Sequence, residues 1–335
     1  MTKIVAFLKS LRWIYTFGRD LIAEIFRIKN KDASTTLILA RTQALNNQLK
    51  RLAGTGGNAF YTFHEFREIQ ELCMKHNHIP TNVLEIGTGS NLGILTLFLL
   101  STAKKVYGVD IEPMNNRYDN YFYESLRDYV KITGGTYWYQ YSVENRPIPH
   151  LSFPTSLDHV DLKHCVDQIN YLAPCSSDAI PLEDSSLDMI YSMATMEHLP
   201  KTRETIKEIK RLLIHGGITI HEIDMSYHRY HTNPLEMLKH SEEEWQSITN
   251  QYGNGLGVED IWDRKFKTEI YCNRLRTSDF VQLFEENGFG ILEVTPTVRF
   301  DKNYIDKSKL DKSFLTKSLD DLSVTVVIIV AKCRK

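Results

Sequence analysis

The 335-residue chain has no paired cysteine motif, no excess of charge of one sign and no long apolar run. Without a stretch of roughly eighteen or more uncharged apolar residues, a membrane-spanning helix is not expected. The N-terminus lacks a continuous apolar core followed by a small-residue cleavage site, so a secretory leader is not expected either. The five cysteines, Cys73, Cys165, Cys175, Cys272 and Cys333, are scattered, with no CxxC pair and no histidines at zinc-finger spacing. They read as reduced thiols of a cytoplasmic protein, and nothing supports structural zinc. A formal net charge of -2 gives no general drive toward nucleic acid, so any basic surface must be local. No internal repeat or low-complexity tract stands out.

With 42% hydrophobic and 24% charged residues, the chain can bury a large core and fits one elaborated domain or two small ones. Residues 1–57 stand apart as a basic helical extension. Lys3, Lys9, Arg12, Arg19, Arg27, Lys29 and Lys31 accompany an apolar stripe through Ile4, Phe7, Leu8, Leu11, Ile14, Leu21, Ile22 and Ile25. Such a segment suits two roles: peripheral contact of residues 1–30 with an anionic membrane, or packing on the domain or on a second copy of the chain. The break Gly54-Thr55-Gly56-Gly57 ends it, and residues 58–335 form the main domain.

Within that domain the periodicity predicts a helix over 62–75, then strand 83–87, helix 91–101 and strands 105–110, 168–173 and 187–192. Helix 201–214, strand 217–224, helix 277–287 and strands 290–298 and 323–332 follow. Alternation of this kind predicts an α/β fold with a mostly parallel, doubly wound sheet. The last run, Val324-Thr325-Val326-Val327-Ile328-Ile329-Val330, follows its predecessor without an expected helix and reads as its antiparallel partner. Two segments, 112–165 and 225–276, fall outside the repeat and read as insertions. The first is rich in Tyr, with Tyr118, Tyr121, Tyr123, Tyr129, Tyr137, Tyr139, Tyr141 and Trp138. These rings suit either an acceptor cleft or an aromatic cluster on the sheet edge.

The most informative stretch is Val83-Leu84-Glu85-Ile86-Gly87-Thr88-Gly89-Ser90-Asn91-Leu92-Gly93, followed by Val106-Tyr107-Gly108-Val109-Asp110. An apolar strand ends in a glycine turn, a helix follows whose N-terminus favours an anionic ligand group, and a second strand closes on an acid placed for a ribose diol. The third glycine, Gly93, comes one residue too late for the dinucleotide pattern, and Glu85 precedes the first glycine by two; both disfavour NAD.

These segments, with Asp178-Ala179-Ile180-Pro181, Ser192, Glu197-His198-Leu199 and Gly216-Gly217 downstream, resemble the class I S-adenosylmethionine-dependent methyltransferases over about residues 60–300. The resemblance implies a Rossmann-like seven-stranded sheet with a reversed last strand, and S-adenosylmethionine as cofactor. It also implies site roles. Glu85 would hold the methionine amino group, and Gly87, Thr88 and Gly89 would pass along the methionine moiety. Asp110 would bind the ribose, Ile111 would lie against adenine, Asp178 and Ala179 would meet its edge, and Ser192, just beyond the fourth strand, would line the site near the sulfonium. Gly216-Gly217 reads as a helix cap without chemistry.

Methyl transfer to a hydroxyl needs a base. His198, Asp224 and His228 are the candidates, with His221, Glu222 and His231 nearby. No metal is assigned, although a divalent ion is a side reading of this mixed group. Segments around Pro234 to Trp245 and Asn273 to Phe280 look similar to methyltransferases of bacterial surface-polysaccharide gene sets, which implies a glycan or other small-molecule acceptor. Arg274 and Arg276 would either contact that acceptor or pair with surface carboxylates. The rival reading is a catalytically silent subunit of the same fold.

Overall fold

The structure, a computed structural model, describes residues 59–89, 91–114, 116–133, 153–154, 156–227, 233–250 and 271–334. The basic segment 1–57, the rings at 137–141, His228 and His231 lie outside the described residues. The described residues group into two compact units.

One unit comprises described residues up to Glu68, from 91 to Ser101 and from 116 to Gln168. It contains the first half of α1 (Ala59–Lys75), α2 (Gly93–Leu99), α3 (Asn120–Thr133) and α4 (Leu162–Asp167). The last two show that the first insertion is partly helical. Its core is aromatic: Phe66 meets Phe98 edge-on at 5.1 Å, Phe63 meets Tyr129 at 5.4 Å, and Tyr118 stacks on Tyr123 at 4.6 Å. Tyr118, Tyr123 and Tyr129 of the insertion thus belong to a packed cluster, whereas Tyr121 is exposed. Gly93 has a packing role, because a Cβ there would lie 2.6 Å from Thr62 and 2.7 Å from Phe122.

The other unit holds the sheet: β1 (Asn82–Ile86), β2 (Lys105–Val109), β3 (Asn170–Leu172), β4 (Leu187–Met193), β5 (Leu213–Asp224), β6 (Phe289–Arg299) and β7 (Val324–Cys333). The seven strands lie in the order β3-β2-β1-β4-β5-β7-β6. β1 to β5 pair in parallel, and β7 runs antiparallel to both β5 and β6. The Rossmann-like sheet with a reversed last strand is therefore present. Its central strands are near-continuous apolar runs because both faces are buried. The core joins Leu84, Ile190, Ile223, Val327 and Ile329 of the sheet to Ile206 and Ile209 of α5 (Thr202–Leu212) and Phe280 and Phe284 of α6 (Thr277–Glu286). Asp188 of β4 fastens the turn before β1 by accepting from the backbone N–H groups of Thr81 at 2.9 Å and Asn82 at 2.8 Å.

Four expectations need correction. Gly216-Gly217 does not cap a helix: α5 ends at Leu212, and both glycines lie inside β5. The register there jumps from Leu187↔Leu213 to Met189↔Ile218, so the pair serves a bulge, with Gly216 at φ +80. Ser192 lies within β4 rather than beyond it. A short helix, α7 (Leu319–Ser323), separates β6 from β7.

The chain also contains an internal repeat, contrary to expectation. Residues 301–315 read Asp-Lys-Asn-Tyr-Ile, Asp-Lys-Ser-Lys-Leu, Asp-Lys-Ser-Phe-Leu, three tandem pentads. Each forms one 3₁₀ turn whose leading Asp accepts from the backbone N–H two residues on: Asp301 from Asn303 at 2.9 Å, Asp306 from Ser308 at 3.1 Å, and Asp311 from Ser313 at 3.0 Å. Ile305, Leu310 and Phe314 turn inward onto a second apolar cluster with Trp245, Leu238 and Leu322. The repeat is a strap closing that cluster.

Candidate active site

The carboxyl ends of β1, β2, β4 and β5, the start of β7 and the end of β6 share one rim of the sheet, where open α/β sheets bind ligands. On β1, Glu85 is buried, and its Oε2 has no hydrogen-bond partner among the described residues. Burial pushes its carboxyl up to about 8; the negative charge of Asp110 adds to the rise, and a hydrogen bond from Tyr191 opposes it. Such a group is suited to meet a cation.

Beyond Glu85 the chain turns at Gly87, which has φ +78 and donates its N–H to the carbonyl of Val109 at 2.8 Å. A Cβ at Gly87 would lie 2.3 Å from the Thr195 hydroxyl, so only glycine fits. Gly89, at φ +62, faces open space with no atom within 4 Å of a Cβ position. The hydroxyl of Thr88 is buried and has no partner among the described residues. An open turn beside unpaired buried oxygens is a cradle for a polar ligand.

Asp110 follows β2 and is tied to this turn: its Oδ2 accepts from the Gly89 N–H and its Oδ1 from the Glu112 N–H, each at 2.9 Å. Ile111 beside it is 54% exposed, an apolar surface ready to take a flat ring. Glu85, Gly87, Thr88, Gly89, Asp110 and Ile111 therefore converge. Asp178 takes Lys201 Nζ at 2.8 Å and the Ser176 hydroxyl, and these two hold its carboxyl below the usual range. The backbone N–H of Ala179 donates to the Ser176 carbonyl at 3.2 Å. Ser192 is fully buried, and its hydroxyl bonds His221 Nδ1 at 2.7 Å; His221 Nε2 in turn meets Thr219 at 2.6 Å. Burial pulls His221 down to about 3, so this relay is neutral and rigid.

After β4 the chain makes a tight turn. Ala194 takes φ +45 and donates to the Glu222 carbonyl at 3.0 Å, and a 3₁₀ turn runs Met196–His198. Asn273 clamps that turn, its Nδ2 donating to the Met196 carbonyl at 2.7 Å and its backbone N–H to the Glu197 carbonyl at 2.7 Å. His198 Nδ1 lies 2.8 Å from the Tyr271 carbonyl, which can only accept, so the proton sits on Nδ1 and Nε2 is the basic nitrogen. Glu197 is 1% exposed with neither carboxyl oxygen hydrogen-bonded among the described residues. Burial, reinforced by Asp224 and Glu222, raises its carboxyl well above the ordinary range. In the sequence Glu197 stands only within the Glu197-His198-Leu199 motif, where nothing reports its burial.

Asp224 ends β5 and accepts the Ser226 N–H at 2.9 Å. It also lines a cavity of about 330 Å³, with Ser226, Tyr227, Arg299, Phe300 and Thr325 among its walls. Arg274 and Arg276, by contrast, are buried at 5% and 0% exposure. Arg274 donates to the His240 carbonyl at 2.7 Å and pairs with Glu242; Arg276 donates to the carbonyls of Met225 at 3.0 Å, Leu322 at 3.2 Å and Val324. Arg276 is an internal staple, and Arg274, itself buried, pairs with the exposed carboxylate of Glu242. No cluster of three or more metal-ligating side chains occurs among the described residues.

Residues 33–294 match the family model described as a methyltransferase domain. Among solved structures, the chain is similar to an S-adenosylmethionine-dependent methyltransferase of Methanosarcina mazei, at 14% identity over 78% of this chain and 97% of that one, with TM-score 0.40. It is also similar to one of Mesorhizobium loti, at 12% identity over 76% and 92%, with TM-score 0.37. The [4+2]-cyclase SpnF is similar at 12% identity over 80% and 81%, with TM-score 0.39. No curated protein matches.

Proposed function

The chain belongs to the methyltransferase-domain family; on that premise we propose that it uses S-adenosylmethionine to O-methylate a saccharide of a cell-surface glycan. The observation that carries the donor site is the convergence of a buried carboxyl with an unpaired oxygen, an open glycine turn and a ribose-ready acid on one rim. When bound, S-adenosylmethionine supplies an electrophilic methyl group on a sulfonium.

Glu85 would take the amino group, the Gly87 to Gly89 backbone and the Thr88 hydroxyl the methionine moiety, and Asp110 the ribose hydroxyls. Ile111 would cover one face of the adenine, with Asp178 and Ala179 at its edge and Ser192 bracing β4 from behind. The protein's main task is then alignment of the acceptor oxygen, which supplies on the order of 7–11 kcal/mol in well-oriented reactions. His198, through Nε2, and Asp224 are the described candidates to take the hydroxyl proton, and His228 is the third. A saccharide acceptor is supported by the cavity beside Asp224, whose size suits a single ring with its substituents. The basic segment 1–30 would hold the enzyme at the cytoplasmic face of a membrane carrying the growing glycan, alone or as a homo-oligomer.

Calorimetric titration with S-adenosylmethionine and with its demethylated product tests the donor site. Both should bind, and Asp110→Ala should weaken each by about tenfold or more through loss of two charge-assisted hydrogen bonds. A folded protein that gives no heat with either ligand overturns the assignment. Incubation of glycan extracts with labelled methyl donor should then place alkali-stable label in the saccharide fraction. Label confined to protein or lipid would refute the acceptor.

A further inference from the structure

The cavity at the ends of β5, β6 and β7 is polar in a particular way. Asp224 and Ser226 form the wall next to β4, Arg299 and Phe300 the wall at the sheet edge, and Thr325 and Val326 join them. The register sets the separation: Asp224 lies opposite Val326 on β7, and Arg299 of β6 opposite Val324. Asp224 and Arg299 therefore stand two strands and two residues apart, roughly 12 Å at the usual strand spacing and rise.

Arg299 is held in place by uncharged groups. Its Nη1 donates to the Asp320 carbonyl and to the Ser323 hydroxyl, each at 3.1 Å. The carboxylate of Asp320 is engaged by Lys302 and lies within electrostatic reach of Arg299. Arg299 forms no ion pair with any described residue, so an oriented guanidinium keeps donors for a ligand. A planar fork of this kind recognises carboxylate or phosphate, and the carboxyl of Asp224 lines the far wall. The cavity has a guanidinium end and a carboxyl end.

We propose that this cavity binds a ring-sized, hydroxylated organic anion whose carboxylate or phosphate is read by Arg299 and whose hydroxyl end faces Asp224. That polarity turns the hydroxyls toward β4 and the donor site; this orientation rests on the proposed methyl transfer, and within it Arg299 is the residue that selects acidic over neutral sugars.

The test uses the full chain saturated with the demethylated donor product, titrated with glucuronate, glucose 6-phosphate and glucose. At least one anion should bind, with glucose about tenfold weaker or worse, and the preference between carboxylate and phosphate identifies the source of the charge. Arg299→Gln should weaken the preferred anion by about tenfold or more, the loss of a charge-assisted bidentate contact, while donor affinity stays within about twofold. Glucose binding as tightly as the anions, an unchanged Arg299→Gln variant, or no binding of any of the three overturns the inference. If Arg299→Gln is unfolded, Arg299→Lys replaces it: it should still exclude glucose while binding the anion more weakly than the parent, and equal affinity for glucose and anion overturns the inference. Loss of donor binding with anion binding intact would count against the methyl-donor site instead, so the two failures are distinguishable.

Discussion

In the proposed donor site, Glu85 would couple donor binding to protons. Its carboxyl sits at about 8 against an ordinary 4.5, so the empty protein holds it protonated at neutral pH. A cationic amino group beside it favours the carboxylate, and binding should therefore release a proton. Donor affinity should rise with pH toward about 8, with a slope of at most about tenfold per unit, and fall above it as the ligand's own amino group loses its proton. Calorimetry in two buffers of unequal ionisation enthalpy measures the release, and Glu85→Gln should abolish it and flatten the pH dependence. The placement of Glu85, Asp110 and Ile111 was legible because a strand end and a turn locate them by counting. The charge state of Glu85 was not, since it depends on Tyr191 and on burial supplied by strands more than a hundred positions away. Arg299 was missed for the same reason: its cavity exists only once β6 and β7 pair.

At the scale of elements, the arginines of the second insertion show how the loops around the sheet are held. Arg276 spans three carbonyls belonging to the end of β5 and the approach to β7. Burial pulls its guanidinium down to about 10, which still leaves it charged at neutral pH. Arg276→Met would strand those carbonyls, and a loss of about 3–5 kcal/mol is expected, read as a lowered urea midpoint with an unchanged slope. The strand and helix order could be read from periodicity, and the reversed β7 from its β-branched run. The bulge at Gly216-Gly217 could not, because a glycine pair reads equally as a cap until the neighbouring register is known. The pentads of 301–315 escaped because their five-residue period matches neither a helix nor a strand; it arises from Asp-capped turns.

For the molecule as a whole, buried histidines and carboxyls set opposite limbs of the stability curve. His221 and His64 are pulled down to about 3 and about 4 by burial, one in each unit. The unfolded chain protonates them near 6.5 and the folded protein does not, so stability falls as pH drops below about 6.5. Glu85 acts in the other sense: the folded state holds its proton longer, and its contribution is lost as pH rises from about 4.5 to about 8. Urea unfolding at several pH values should show both limbs, and His221→Gln should flatten the acid one by up to about 1.4 kcal/mol per unit. A parent curve without an acid limb would contradict the buried neutral histidines. The strand order adds a constraint of another kind. β7 is made after β6 yet lies between β5 and β6, so during synthesis β6 leaves the ribosome with no strand to pair with. The rim carrying Arg299 and Asp224 is therefore assembled only after translation has passed residue 333, and a nascent chain can hold the glycine turn long before that rim is complete.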